Sequence, residues 1–191
     1  MDTHYVIDPA DRVVSFDAAW VAFAEANSAP RLPLRALGQS LWTFIADPSV
    51  RELSRTLLAG VRATGRRMTI PFRCDSPVVE RFMTLTIGPG NGPRGTLAFC
   101  ASLLREKAHR PAAAALHASV VAGAGAASGA EVDVLAPPLV MCSWCKRVDV
   151  DGWCEVDEAI ARRADLLSNP APSITHGICP DCHRSLLAGV A

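Results

Sequence analysis

The sequence predicts an α+β protein built in two folded parts, and three observations lead there. Short segments of the first hundred residues alternate apolar and polar side chains, as half-buried strands do. One segment among them carries apolar residues at helical spacing with a stop signal at each end. The C-terminal part holds two Cys-x-x-Cys turns, a spacing that brings metal or thiol chemistry to a segment with little core of its own. At 191 residues the chain has room for one ordinary domain and a small one. Half of its residues are hydrophobic and a fifth are charged, which supplies a core and excludes wholesale disorder.

Tyr5 to Asp8 and Arg12 to Phe16 read as two strands joined by the turn Asp8-Pro9-Ala10-Asp11. Asp17 is an N-cap for a short helix that carries Trp20 and Phe23 and ends near Asn27. Asp47-Pro48 caps and opens a longer helix, in which Val50, Leu53, Leu57 and Val61 share a face and Gly65 supplies the stop. Three strands come next, marked by Met68, Ile70 and Phe72, by Met83, Leu85 and Ile87, and by Leu97, Phe99, Ala101 and Leu103. Gly88 to Pro93 is the turn-rich loop between the last two. The composition divides the chain into a domain at 1–105, an Ala/Gly-rich helix and linker at 106–137, and a cysteine module at 138–191. Pro111 opens a helix with Leu116 and Val120, and Gly123, Gly125 and Gly129 make the rest of this segment a poor helix and a flexible linker. The uncharged run from Ala112 to Ala130 has the length of a membrane span, but alanine and glycine drive insertion weakly, so no membrane association is expected.

The order of elements, with Ser15-Phe16-Asp17-Ala18-Ala19-Trp20 leading into Phe23 and Leu37-Gly38-Gln39-Ser40-Leu41-Trp42 before the long helix, resembles the PAS sensory fold over about residues 4 to 105. The resemblance implies a five-stranded antiparallel sheet whose concave face, with the helices, can enclose a small-molecule ligand. It also implies association with a second copy, as a homodimer, or with an output module. Cys74, in Phe72-Arg73-Cys74-Asp75-Ser76-Pro77 at a strand end, departs from the Asn-Cys-Arg-Phe pattern of flavin photoreceptors. His4 is the only histidine in this domain and lies at its very start, so a haem axial ligand is not expected. Trp20, Phe23, Trp42 and Phe44 read as core rather than a ligand box, and Cys74 and Cys100 as small buried hydrophobes. Arg66, Arg67, Arg73 and Arg81 read as a strip along a sheet edge or as a solvated face.

Cys142-Ser143-Trp144-Cys145 and Cys179-Pro180-Asp181-Cys182 each place two thiolates at a distance suited to two corners of a tetrahedron. The expected ligand set is Cys142, Cys145, Cys179 and Cys182 around one structural Zn2+, in a small zinc-ribbon-like module. His176 and Cys154 are alternative ligands. The intervening segment has room for a hairpin and a helix carrying Val156, Ile160 and Leu167. Lys146, Arg147, His176, His183 and Arg184 can supply donors to a centre of net charge minus two. The stretch Met141-Cys142-Ser143-Trp144-Cys145-Lys146, then Gly152-Trp153, then Thr175-His176-Gly177-Ile178-Cys179-Pro180-Asp181-Cys182 resembles a module appended to sensory proteins of bacterial two-component signalling, which implies a signalling-protein partner.

Four cysteines close a zinc site to water and substrate, and the sequence has no nucleophile elbow and no phosphate-binding glycine loop, so an enzyme is not expected. Nineteen basic residues balance nineteen acidic ones. From 139 to 191 Lys146, Arg147, Arg162, Arg163 and Arg184 face Asp149, Asp151, Glu155, Asp157, Glu158, Asp165 and Asp181, a poor footprint for nucleic acid. The first residues lack the basic start and apolar core of a secretory signal, and the paired cysteines suit a reducing compartment, so a cytoplasmic location is expected. The function expected is that of a non-enzymatic sensor or adaptor, with a nucleic-acid-binding regulator and a zinc-releasing thiol switch as alternatives.

Overall fold

The computed structural model describes residues 2–27, 29–76, 78–111, 113–116, 138–167 and 173–189. Two compact units are present: Met1–Phe72 with Phe82–Arg105 and Pro180–Ala191, and Arg73–Arg81 with Glu106–Cys179. The first is built on a five-stranded antiparallel sheet of β1 (Asp2–Ile7), β2 (Val13–Phe16), β3 (Met68–Arg73), β4 (Val79–Pro89) and β5 (Leu97–Ala108). The spatial order is β2-β1-β5-β4-β3. β1 runs antiparallel to both neighbours, with Tyr5 opposite Phe16 on one side and Phe99 on the other. Helices α1 (Ala18–Ala26), α2 (Leu32–Ala36) and α3 (Pro48–Thr64) lie between β2 and β3 in the chain.

The helix caps act as the sequence predicts. Asp17 accepts the Trp20 N–H at 2.7 Å to start α1, and Asp47 accepts the Val50 N–H at 2.8 Å to start α3. Gly65, at φ 68°, closes α3 in the left-handed conformation that glycine adopts without steric cost. Val50, Leu53, Leu57 and Val61 are all buried on one face of that helix. Ile7, Ile70, Met83, Ile87, Leu97 and Phe99 on the strands are buried as well. Asp11 takes a left-handed φ of 60° in the turn between β1 and β2, where its carboxylate accepts from Trp42 Nε1 at 2.9 Å and from the Arg62 guanidinium of α3. That carboxylate joins the first turn of the chain to the long helix.

Three expectations for this unit need correction. Trp20, Phe23 and Trp42 are half-buried and Phe44 is exposed; α1 turns only Ala24 fully inward, and the buried hydrophobic residues of α3 are Val50, Leu53, Leu57, Leu58 and Val61. Cys74 and Cys100 are half-buried, not fully enclosed. The arginines do not form one strip: Arg73 pairs with Asp75 and Glu80, and Arg81 with Glu106, whereas Arg66 and Arg67 are exposed at the other end of β3.

In the second unit a four-stranded sheet runs in the order β8-β7-β6-β9, from β6 (Leu139–Cys142), β7 (Val148–Asp149), β8 (Trp153–Cys154) and β9 (Ile174–Gly177). β7 and β8 form the expected hairpin, turning through Asp151 and Gly152, both at positive φ. Helix α4 (Val156–Arg162) and a 3-10 turn at Ala164–Leu167 come after it. Leu166 rather than Leu167 points inward, since the 3-10 turn shifts the face by one residue. The core joins Leu139, Met141, Val148, Val156, Ala159 and Leu166 to Ala113 and Leu116 of the predicted helix after Pro111. Val120, Gly123, Gly125, Gly129 and the linker from 117 to 137 lie outside the described residues, as does most of the run from Ala112 to Ala130. Among the described residues no helix is long and apolar enough to cross a membrane.

Candidate metal centre

β6 ends on Cys142, and the chain turns at once: the Cys142 N–H donates to Arg147 O at 2.8 Å and the Lys146 N–H to Cys142 O at 3.1 Å. Lys146 closes this turn at φ 64°. β9 lies parallel to β6 with Gly177 opposite Cys142, and the Ser143 N–H donates to Gly177 O at 2.9 Å. A Cβ at Gly177 would stand 3.1 Å from Val140 Cγ1, so the absence of a side chain permits the close pairing. Two residues on, Cys179 is delivered beside the first turn, and Pro180 opens α5 (Pro180–Ala188) with Cys182 in its first turn.

The sulfur atoms of Cys142, Cys145, Cys179 and Cys182 all lie within 4.8 Å of one another, so the four residues predicted as ligands are brought together. Cys145 Sγ and Cys179 Sγ are 3.7 Å apart, close to the edge of about 3.8 Å expected for a tetrahedron with metal–sulfur bonds of about 2.3 Å. Cys142 and Cys179 are wholly buried, and Cys145 and Cys182 half-buried. The group can hold a metal ion, and its all-thiolate donor set is a soft one. A hydrogen bond from the Cys145 thiol holds the Cys142 thiol well below its ordinary range; the N–H groups of Cys145, Cys179 and Trp144 add to it against the opposing effect of burial. The Cys179 N–H stands 3.4 Å from Cys142 Sγ.

The alternative ligands are placed elsewhere. His176 is exposed on β9 opposite Met141, and Cys154 lies in the apolar core on β8, where burial raises its thiol pKa. Neither belongs to the four-sulfur group. His4, in the first unit, is exposed, and its Nδ1 is 2.7 Å from Asp17 Oδ2. Among the flanking donors, Lys146 is half-buried and its Nζ donates to Ser143 O at 3.0 Å, within the first turn. Arg184 instead pairs with Asp181, and Arg147 lies 3.7 Å from Glu155.

Sequence reasoning missed Arg73, whose N–H donates to Trp144 O, between two of the cysteines, at 2.7 Å. No local pattern marks it, since the partners lie seventy-one positions apart in the chain. Neither the family models nor the curated proteins with which the sequence was compared match this chain.

Proposed function

We propose that this protein is a non-enzymatic bacterial signalling sensor or adaptor, in which a PAS-like domain responds to a small molecule or partner and a zinc-stabilised module contacts a further signalling protein. The observation that carries this reading is the four-sulfur group. Its tetrahedral edge suits Zn2+, and four protein ligands leave no position for water or substrate, which favours a structural over a catalytic ion. Zinc held by Cys142, Cys145, Cys179 and Cys182 would supply charge neutralisation and cross-linking to the C-terminal segment of the chain. The five-stranded sheet with its helices between β2 and β3 supports the PAS-like reading of the first unit. A cytoplasmic homodimer is the form in which we expect it to act.

Elemental analysis with native mass spectrometry of the intact protein tests the reading. One zinc per chain is expected, together with the mass of any retained ligand and the subunit number. A folded, metal-free protein would overturn the zinc assignment. Capture of a signalling partner by the zinc-loaded protein, lost when the metal is stripped, tests the adaptor role; capture that ignores the metal counts against it.

The half-exposed Cys145 and Cys182 favour one second reading, a thiol switch that releases zinc on oxidation. Zinc release by dilute peroxide much faster than from ordinary structural fingers would support it. Release at the ordinary rate would exclude it.

A further inference from the structure

The tip of the β3–β4 hairpin, residues 73–81, belongs to the same compact unit as the first cysteine turn, although the sequence assigns it to the N-terminal sheet. Three sets of contacts hold it there. The Arg73 N–H donates to Trp144 O at 2.7 Å. The Arg73 guanidinium, 12% exposed, sits among Asp75, Glu80 at 3.2 Å and Glu155 at 3.3 Å, the last of these from the cysteine module. Glu80 in turn pairs with Lys107 at 3.1 Å, and His109 Nε2 donates to Ser76 O at 2.9 Å.

Resting on the metal reading proposed for the four cysteines, we infer that metal occupancy and docking of the hairpin tip are coupled: the ion fixes the 142–146 turn, and the turn holds residues 73–81. Trp144 lies between two ligands, so the direction of its carbonyl is set when both sulfurs bind one ion. Without a cation, four sulfurs packed within 4.8 Å repel one another when ionised, and the turn that presents the Trp144 carbonyl loses its constraint. Because coupling free energies are reciprocal, a docked tip strengthens metal binding by the same factor by which metal protects the tip. Arg73 and residues 79–81 are the ends of β3 and β4, and β3 is an edge strand of the five-stranded sheet. Loss of metal therefore loosens the Arg73 N–H from Trp144 O at the end of an edge strand, a change that a partner can read.

Hydrogen exchange on the full-length protein, zinc-loaded and chelator-stripped, tests this. The Arg73 amide and its neighbours to Arg81 exchange about tenfold faster after stripping, while amides of Leu53 to Val61 in α3 are unchanged. Chelator competition supplies the reciprocal measurement. Arg73→Gln and, in a position exposed enough to spare the fold, Glu155→Gln weaken zinc binding by about fivefold to tenfold. Arg66→Gln, before the start of β3 and at the opposite end of that strand from Arg73, does not. One zinc per chain with identical exchange of 73–81 in both states, or Glu155→Gln binding zinc as tightly as the parent, overturns the coupling alone. A chain that takes up no zinc overturns the metal reading and the coupling with it.

Discussion

Replacing Cys179 by alanine removes one corner of the four-sulfur group at a wholly buried position. Structural zinc in small modules contributes about 10 to 16 kcal/mol of apparent binding free energy, so an even share among four sulfurs is about 3 kcal/mol each. At about 1.4 kcal/mol per decade this weakens metal binding by at least about a hundredfold. The loss is larger here than at Cys145, because Cys179 is fully buried, whereas Cys145 is half-exposed and a water can take its place. Competition with a chromophoric chelator on the full-length protein measures both affinities. The reasoning fails if Cys179→Ala keeps one zinc at the parent affinity, or if His176→Ala or Cys154→Ala loses it instead.

Leu57→Ala, at a site 2% exposed in α3, costs about 2 to 5 kcal/mol in chemical denaturation, against a negligible cost for Leu34→Ala at an exposed position of α2. Asp47→Ala removes the cap of α3 and costs about 1 kcal/mol by the same assay. Asp11→Ala costs about 2 kcal/mol or more, since it strips acceptors from Arg62 and Trp42 and puts alanine at φ 60°; Asp11→Asn, which tolerates that conformation, recovers part of the loss. Asp17 supplies a pH test: burial alone would raise its pKa, but hydrogen bonds from His4 and the Trp20 N–H lower it overall. Its contribution is therefore complete above about pH 4 and is lost as pH falls through the lower folded value. Its partial exposure keeps the effect to a fraction of a kcal/mol, read as the stability difference between parent and Asp17→Asn across an acid titration.

The local signals were the legible ones. Asp47-Pro48 and Gly65 bracket α3 as expected, and its inward residues are those the helical period selects. The two cysteine pairs named all four members of the sulfur group, because each turn carries its own geometry in four residues. The features that stayed hidden depend on partners remote in sequence. β4 and β5 run beyond their apolar stretches to Val79 and Ala108, since Arg81 with Glu106 and Glu80 with Lys107 make cross-strand pairs where isolated charges read as loop. The same holds for Arg73 and Trp144. The aromatic residues misled for another reason: large apolar side chains are assigned inward by type, while the fully buried positions of this unit are taken by smaller residues such as Leu53, Leu57, Leu58 and Val61.

The parallel register of β6 and β9 bears on the order of events during synthesis. Antiparallel neighbours can close through a tight turn, whereas these two strands must await everything between them. Cys145 precedes Cys179 by 34 residues, which at about 5 to 20 residues per second is a delay of about 2 to 7 s. For that interval Cys142 and Cys145 could offer a metal ion only two sulfurs, and the four-sulfur group becomes complete once the second pair has been made.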